Sequence, residues 1–401
     1  MNIFFKGFCR IYQGCFYIAM PVLPYREPQK YNTLDDIEKI FAQLGAKSAL
    51  LVTDKFMSES DSVAKIKTIA KKSGVKLHIY DGVKPNPTVT NAMEAKEMYL
   101  KGKCQCMIAF GGGSAMDCAK AAGALVVYPK KNFDKLKGLL KIMRRLPKIV
   151  AIPTTAGTGS EVTPTAVITD DATHRKYTMN SFPLIPHYAI LDPKVTYTLP
   201  KHLTATTGMD ALTHAVEAYI GNSTTRETRA YAGEAVELVF KNIKTAYDNP
   251  TDEKARANML HASYVAGIAF SKSYVGYIHA VAHSLGGQYD IPHGLANSVL
   301  MPIVLKMYGS CVYKKLKKLA IAAGVATKEE TAEAAANKFI DAIEKLNEYM
   351  EIPKTLKGIE EKDIPLMAKH AAKEGNPLYP VPRLMDAKAL GEIYRKVAER
   401  N

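Results

Sequence analysis

Five short apolar runs in the first half of the chain constrain its fold more than any other feature. They are SALLVT (48–53), VKLHIY (75–80), CQCMIAF (104–110), KIVAIPTT (148–155) and YAILDP (188–193). Continuous apolar runs of this length are typical of strands that are buried on both faces. Amphipathic stretches at residues 62–72 and 91–101 lie between several of them. The alternation predicts an α/β domain with a mostly parallel sheet and helical crossovers.

The pattern changes at about residue 198. From there on, helix-forming residues recur at helical spacing with almost no strand-like alternation, over residues 211–219, 230–247, 254–270, 278–285 and 328–349. A chain of 401 residues is also too long for one ordinary core. We therefore predict two domains, an α/β domain over residues 1–198 and an all-helical domain over residues 199–401.

The first residues contain many aromatic side chains. Apolar positions recur there at helical spacing, at Ile3, Phe4, Phe8, Ile11 and Cys15. Polar residues interrupt the run and no small-residue cleavage site follows, so we expect an amphipathic docking helix rather than a secretory signal. No run in the chain reaches the roughly 18 uninterrupted apolar residues that a membrane-spanning helix needs, so we expect no membrane span.

Charge and cysteine usage narrow the class of protein further. The net charge of +15 raises the possibility of nucleic-acid binding, but the clustered lysines Lys314, Lys315, Lys317 and Lys318 fall in a helical pattern typical of a solvated face. Attraction of an anionic cofactor is a sufficient use for part of the charge. The six cysteines form no CxxC pair, which indicates the reducing cytoplasm.

A glycine-rich turn directly follows the third apolar run. The sequence Gly111-Gly112-Gly113-Ser114 leads into a helical pattern, so free backbone amides and the positive end of the helix dipole can meet a phosphate. This strand, turn and helix context is that of a Rossmann-like dinucleotide site, although the GxGxxG pattern is absent. The alternative is a purely structural turn, with Ser114 as the N-cap and Asp117 completing a capping box.

Two more segments fit a nucleotide site. Asp54 ends the first run, where a carboxylate can accept hydrogen bonds from an adenosine ribose and repel a 2′-phosphate, which favours NAD over NADP. The alternative is an acid that only caps or turns the chain. A second turn, at residues 153–161, is rich in hydroxyl groups that can line a cofactor site or serve turn chemistry.

Histidines are distributed unevenly in the helical half. Asp210 and His214 lie four residues apart and therefore on one helix face, and His279 and His283 repeat that spacing. His293 follows a glycine-containing bend. One carboxylate and three imidazoles suit Fe²⁺ or Zn²⁺ and leave room for a substrate oxygen. Each histidine alone is more often a core residue, and spacing does not establish that the four groups converge.

At these motifs the chain resembles the iron-containing (group III) alcohol dehydrogenase family, which shares its fold with glycerol dehydrogenase and dehydroquinate synthase. The resemblance runs from about Leu50 to residues 377–382. It combines the GGGSxxD loop, the PTTAGTGSE turn, GMDALTHA, and the HxxxH and PHG segments in one order. One departure is Ser284, where many relatives carry proline.

The resemblance implies roles for particular residues. It makes Asp210, His214, His279 and His293 the metal ligands, His283 a proton relay beside the substrate, and Phe270 a residue near the substrate. The cofactor contacts that it implies are Asp54, Asn86, Gly112, Gly113, Ser114, Asp117, Thr154, Thr155, Thr158, Thr163 and Lys176.

The expected function is hydride transfer between NAD and a small primary alcohol or diol and its aldehyde, with Fe²⁺, or Zn²⁺, polarising the substrate oxygen. We expect a cytoplasmic homodimer or larger homo-oligomer that binds neither nucleic acid nor membrane. Two alternatives remain at this point. One is a lyase like dehydroquinate synthase, which would show no net redox change, and the other is a noncatalytic binder of acidic surfaces, whose binding would fall steeply with salt.

Overall fold

The computed structural model describes residues 1–20, 23–171 and 176–399. Contacts within the chain define two compact units. The first, which we call the sheet unit, spans Pro24–Leu199. The second, which we call the helical unit, combines Met1–Leu23 with Pro200–Asn401. The first 23 residues therefore group with the helices, whereas the sequence had suggested the sheet domain.

Six parallel strands form the main sheet of the sheet unit. They are β1 (Gln29–Tyr31), β2 (Ser48–Val52), β3 (Lys76–Tyr80), β4 (Cys106–Gly111), β6 (Lys148–Pro153) and β9 (Tyr188–Ile190). Their order across the sheet is β1-β9-β6-β4-β2-β3, and every neighbouring pair is parallel. The predicted fold class, a mostly parallel sheet followed by helices, is confirmed.

Helices cover both faces of this sheet. They are α2 (Asp36–Leu44), α3 (Lys55–Ser58), α4 (Asp61–Lys72), α5 (Val89–Lys101) and α6 (Gly113–Val127). Side chains alternate between two cores, so that Leu50 and Val52 of β2 join one core while Ala49 and Leu51 join the other. All five residues of β2 are buried. Two-sided burial explains why the strands read as continuous apolar runs.

The direction of chain winding reverses at β2, the second strand from one edge of the sheet. After β2 the chain passes to β3 on one side, and it then returns to β4 on the other side of β2. In open α/β sheets the crevice beyond the carboxyl ends of such neighbouring strands is the usual ligand site. The residues that follow β2 and β4 are Asp54 and the glycine-rich turn.

A second, three-stranded sheet was not predicted from the sequence. It contains β5 (Gly138–Leu139), β7 (Thr165–Thr169) and β8 (Lys176–Asn180) in the order β5-β8-β7, and β7 pairs antiparallel with β8. In β7 buried residues alternate with partly buried ones, β8 has one buried residue, and both residues of β5 are exposed. They lack the continuous apolar runs by which we identified the other strands.

Nine helices make up the described C-terminal part of the helical unit. They are α7 (Lys201–Ile220), α8 (Arg226–Asp248), α9 (Glu253–Ser273), α10 (Tyr277–Tyr289), α11 (His293–Tyr308), α12 (Ser310–Ala322), α13 (Ala332–Tyr349), α14 (Ile364–Gly375) and α15 (Ala387–Val397). Among the described residues, no helix is both long enough and apolar enough to cross a bilayer. The lysine run in α12 is not simply a solvated face, because Lys315 donates hydrogen bonds to the carbonyls of Ile220 and Gly221 at the end of α7.

The N-terminal segment forms the helix α1 (Ile3–Ala19), as predicted, but it packs through the opposite face. Cys9 and Gln13 are buried, whereas Phe4 and Ile11 of the apolar stripe are 83% and 69% exposed. The Arg10 guanidinium donates to the carbonyls of Val381 and Pro382, and Gln13 donates to that of Tyr379. Specific hydrogen bonds to these loop carbonyls, rather than burial of the apolar stripe, therefore orient the helix.

Candidate metal centre and nucleotide loop

The centre of α7 supplies the first two candidate ligands. Asp210 and His214 lie one turn apart on a helix that is buried from Gly208 to Ile220. The His214 Nδ1 atom is 4.0 Å from Asp210 Oδ2. Both side chains are almost fully enclosed, at 3% and 7% exposure. A buried carboxylate without a cation is costly, so this pair is suited to a positively charged ligand.

Two further histidines approach Asp210 from neighbouring helices. The Nε2 atoms of His279 in α10 and His293 at the start of α11 lie 4.0 and 3.5 Å from Asp210 Oδ1. Gly294 permits this approach of α11 to α7, because a Cβ there would lie 2.5 Å from the Thr206 carbonyl oxygen. The helices thus bring together all four residues that were proposed as ligands.

The donor set of this cluster fits a divalent transition metal. One ligand atom from each of Asp210, His214, His279 and His293 lies within 4.8 Å of the others. Burial, and then the neighbouring imidazoles, hold the pKa of His279 well below its usual value. His279 is therefore neutral near pH 7, which is the form that binds a metal. Three imidazoles and one carboxylate are ligands that both Fe²⁺ and Zn²⁺ accept.

Two residues that the sequence analysis missed support these ligands. Glu217 Oε2 accepts a hydrogen bond of 2.6 Å from His279 Nδ1, and burial raises the pKa of Glu217 to about 7. Asn297 donates to Asp210 Oδ1 at 2.7 Å. Its Nδ2 atom also lies 3.2 and 3.1 Å from the Nε2 atoms of His279 and His293. Helical spacing was the available signal, since Glu217 follows Asp210 by seven residues and Asn297 follows His293 by four.

His283 lies beside the cluster and has a carboxylate partner of its own. Its ring stacks on that of His293 at a centroid distance of 5.2 Å, and its Nδ1 atom is 2.6 Å from Glu374 Oε1. Tyr379 donates a second hydrogen bond, of 2.7 Å, to the same oxygen. The His283 side chain is 38% exposed, against 3% for His279. This partly exposed imidazole can exchange a proton with solvent.

Phe270, the expected substrate neighbour, is partly buried and directly follows the buried residues 262–269 of α9. Its ring stacks on His214 with a centroid distance of 4.2 Å and an interplanar angle of 18°. The aromatic ring therefore forms an apolar wall against one of the candidate ligands.

The glycine-rich turn adopts a conformation that side chains would disturb. Gly111 has a φ of 149°, and a Cβ on it would lie 2.8 Å from Ala115 Cβ and 4.0 Å from Asp54 Oδ2. Helix α6 begins at Gly113, and Gly112 occupies the N-cap position without a side-chain hydrogen bond. The alternative of a Ser114 capping box is wrong, since Ser114 lies inside the helix. The free amides of this N-terminus remain suited to an anion.

The hydroxyl-rich turn lies against the glycine-rich turn. A Cβ on Gly112 would lie 3.4 Å from Thr155 Oγ1, and one on Gly113 would lie 3.0 Å from Thr158 Cγ2. Thr154 is buried, and its amide donates to the Gly111 carbonyl. The Thr155 hydroxyl is buried and has no hydrogen-bond partner among the described residues. This buried hydroxyl can donate a hydrogen bond to a phosphate oxygen, and the amides at the start of the helix can do the same.

Two of the expected cofactor contacts take part in an internal network. Asp117 accepts hydrogen bonds from the Ser160 hydroxyl and the Val167 amide. The buried Lys120 donates to Ser160, Thr163 and the Thr165 carbonyl, and burial lowers the pKa of Lys120 to about 8. This network connects α6 to the second turn and to β7. No sequence pattern had indicated a role for Lys120.

The remaining expected contacts lie at separate positions of the sheet unit. Asp54 follows β2 and also caps α3, because its Oδ1 atom accepts from the Met57 amide. Asn86 lies in the segment after β3 and has a φ of 55°. Lys176 begins β8. Asp54 thus has both the position that a ribose contact requires and the capping role that was its alternative.

Comparison with known proteins agrees with this architecture. Two family models match, Iron-containing alcohol dehydrogenase over residues 28–193 and Fe-containing alcohol dehydrogenase family, C-terminal, over residues 204–398. The chain belongs to the iron-containing alcohol dehydrogenase family. The resemblance inferred from the motifs is therefore confirmed, and the protein is an oxidoreductase.

Individual relatives cover most of the chain. A 1,3-propanediol dehydrogenase of Citrobacter freundii is 40% identical over 88% of this chain and 92% of its own length. A lactaldehyde reductase of Escherichia coli is 36% identical over 83% of this chain and 88% of its own length. The structure of an alcohol dehydrogenase from Oenococcus oeni superposes with a TM-score of 0.89 and 35% identity, covering 94% of this chain and 100% of that chain.

Family membership implies iron and a nicotinamide cofactor. The names of relatives differ in the cofactor: one is an NAD-dependent methanol dehydrogenase of Bacillus methanolicus and another an NADPH-dependent butanol dehydrogenase of Clostridium saccharobutylicum, each 35% identical to this chain. Membership of this family gives the general reaction of the protein, which is oxidation of an alcohol or reduction of an aldehyde.

Proposed function

We propose that this iron-containing dehydrogenase interconverts a small primary alcohol or diol and its aldehyde with NAD as the hydride carrier. The observation that carries the proposal is the convergence of Asp210, His214, His279 and His293 within 4.8 Å, with His283 stacked beside them. The names of relatives, which include propanediol and methanol dehydrogenases and lactaldehyde reductase, support a small substrate.

Asp210, His214, His279 and His293 would hold Fe²⁺, or Zn²⁺ where zinc is supplied. The bound metal supplies Lewis-acid polarisation of a substrate oxygen, and the nicotinamide supplies or accepts the hydride. The Asp210 carboxylate offsets part of the metal charge in a site that excludes most water. The stacked Phe270 ring would hold the carbon chain of a small substrate against the site.

His283 would carry the proton of the reaction. Because Glu374 lies 2.6 Å from Nδ1, the proton of the neutral ring is held on that nitrogen and the basic lone pair lies on Nε2. The Tyr379 hydroxyl donates to Glu374 and so helps to fix the carboxylate. When alcohol is oxidised, Nε2 would take up the proton of the hydroxyl group and release it towards solvent.

The sheet unit would bind NAD at the glycine-rich turn. The amides of Gly112, Gly113 and Ser114 would receive the pyrophosphate, with the hydroxyls of Thr155 and Thr158 beside it. Asp54 would accept from the adenosine ribose and disfavour a 2′-phosphate. The remaining contacts that we propose are Asn86, Asp117, Thr154, Thr163 and Lys176. For Asp117 and Thr163 the hydrogen bonds described above favour a supporting role over direct contact.

NADH absorbance provides the decisive test. Protein reconstituted with Fe²⁺ should form NADH with one or more C2 to C4 alcohols and consume NADH with the matching aldehydes. The variant His279→Ala should bind less metal and lose this activity. A folded, demonstrably metal-loaded protein that gives no signal with the whole panel would contradict the proposal and favour the lyase, which needs no net redox change.

We also propose a cytoplasmic homodimer or larger homo-oligomer. The absence of CxxC pairs from the sequence favours a reducing compartment. Light scattering coupled to size-exclusion chromatography would measure the mass in solution, and a monomer of 44.0 kDa would contradict the oligomer.

A further inference from the structure

Glu217 is a buried carboxylate to which no step of the proposed reaction assigns a role. Its side chain is 1% exposed and lies in the last turns of α7, seven residues after Asp210. Burial of a charged carboxylate is costly unless hydrogen bonds satisfy its oxygens. The partners of Glu217 therefore indicate what the residue is for.

Three donors from the start of α10 point at this carboxylate. Its Oε1 atom accepts from the Ile278 amide at 2.8 Å, and its Oε2 atom accepts from the Gly276 amide at 2.8 Å and from His279 Nδ1 at 2.6 Å. The two amides belong to a helix N-terminus, where amides lack partners within the helix and a negative charge is favourable. One side chain of α7 therefore holds both the first turn of α10 and the His279 ring.

The hydrogen bond to His279 also selects the tautomer of the ring. The amides of Gly276 and Ile278 favour the ionised form of Glu217, which can only accept, so the proton of a neutral His279 then resides on Nδ1. The Nε2 atom is then left with its lone pair and lies 4.0 Å from Asp210 Oδ1, on the side of the candidate metal. Ligating histidines are commonly held in this way by a carboxylate, and loss of the carboxylate weakens metal binding.

Gly276 packs directly against the Glu217 carboxylate. Gly276 has no side chain, and a Cβ there would lie 2.6 Å from Glu217 Oε1. A small side chain at this position, which is the N-cap of α10, would therefore push against the carboxylate without altering its chemistry.

We propose that Glu217 is the positioning residue that fixes the His279 ring and its tautomer for metal binding and fastens the start of α10 to α7. The inference rests on the proposed metal site and adds a residue to it. Glu217 does not touch the metal or the substrate, and it acts through His279.

The direct test replaces one oxygen of the carboxylate. Glu217→Gln keeps the size of the side chain but turns an acceptor into a donor that faces the α10 amides or His279. We expect the affinity for Fe²⁺ or Co²⁺, measured by competition with a chromophoric chelator, to fall about 10- to 100-fold. The visible absorption of the Co²⁺ protein should change as well, because the geometry of one ligand changes.

The chain supplies a matched control in Glu374→Gln. Glu374 makes the same 2.6 Å contact with a histidine of the same helix, but with His283, which is not a proposed ligand. This variant should keep the metal affinity and the Co²⁺ spectrum of the wild-type protein. Equal losses in both variants, or none in Glu217→Gln, would overturn the specific role of Glu217.

A second variant covers the case in which Glu217→Gln does not fold. Gly276→Ala keeps the carboxylate group but displaces it through the Cβ contact, so it should weaken metal binding in the same direction. Wild-type metal affinity in a folded Gly276→Ala protein would count against the inference, because the carboxylate would then not need its observed position.

A readout without metal separates this inference from the proposed function. In metal-free protein with ¹⁵N-labelled histidine, nitrogen chemical shifts should show the His279 proton on Nδ1 in the wild type and a mixed tautomer in Glu217→Gln. If the wild type has that tautomer but binds no metal, the proposed function fails while the role of Glu217 in orienting the ring remains. If the wild-type proton lies on Nε2, the inference itself is wrong.

Discussion

The candidate metal centre and the nucleotide loop would bind their proposed ligands with different parts of the chain. In the helical unit, four side chains from three helices converge, and Glu217 and Asn297 form hydrogen bonds with His279 and Asp210. In the sheet unit, backbone amides at the start of α6 would face the proposed nucleotide, and glycines keep side chains away. The metal centre should therefore be sensitive to removing side-chain atoms, whereas the loop should be sensitive to adding them.

Removing a ligand gives the largest expected effect. Asp210→Ala deletes the only carboxylate among the four ligands and leaves three imidazoles facing one another. We expect metal binding to be lost and kcat/KM to fall at least about 1000-fold, because a Lewis acid contributes several kcal/mol to the barrier. Metal content and NADH absorbance would measure both effects. Full metal content with full activity would show that Asp210 is not a required ligand and that the metal centre tolerates loss of side-chain atoms.

Removing a neighbouring imidazole should separate binding from turnover. His283→Ala should retain the metal and lose about 100- to 10,000-fold in kcat, as is typical for loss of a general acid or base. Metal analysis and steady-state kinetics with the best alcohol would test this. Unaltered turnover would remove His283 from the mechanism, and loss of metal would make it a further support of the cluster.

Adding one methyl group should damage the nucleotide loop. Gly111→Ala places a Cβ 2.8 Å from Ala115 Cβ at a φ of 149°. Strain of about 1–3 kcal/mol should weaken NADH binding about 5- to 100-fold while metal content stays the same. Fluorescence titration with NADH would measure the affinity.

The matched control is Gly45→Ala, which also adds a Cβ at positive φ, 58°, but meets nothing within 4 Å and lies at the end of α2. It should lower stability without changing NADH affinity. Equal weakening in both variants would mean that strain in the sheet unit, rather than access to the loop, controls cofactor binding.

The smallest expected effect concerns the choice of cofactor. Asp54→Asn removes a negative charge and keeps an oxygen that can accept from the Met57 amide, so the cap of α3 should survive. The ratio of kcat/KM for NADP to that for NAD should rise about tenfold, which corresponds to about 1.4 kcal/mol. An unchanged ratio would leave Asp54 with its capping role alone.

The two regions also differed in how far they could be predicted. The ligand set followed from residue types and helical spacing in combination with the family motifs, and the structure brings the four residues together. Glu217 and Asn297, which contact these ligands, and Glu374, which contacts His283, were missed, although Glu217 and Asn297 repeat the helical spacing of the ligands. Glu374 lies 91 residues after its partner His283, and no local pattern relates positions so far apart.

The strands show the same limit. Runs such as residues 48–52 were recognised because burial on both faces requires continuous apolar sequence. The half-buried β7 and β8 form hydrogen bonds mainly to each other and were not recognised. Helix α1 was predicted as a helix, but its docking face was wrong, because hydrogen bonds from Arg10 and Gln13 to distant carbonyls orient it.

Local sequence thus determined the kinds of elements, the glycine-rich turn, the ligand types and, through its motifs, the family. These features depend on residues a few positions apart, whose spacing reflects helix and strand geometry. Only the tertiary structure decided which carboxylate faces which histidine, how Asp117 and Lys120 connect the two turns, and which face of α1 packs. Those contacts join residues far apart in the chain, and their geometry is set by how whole elements pack.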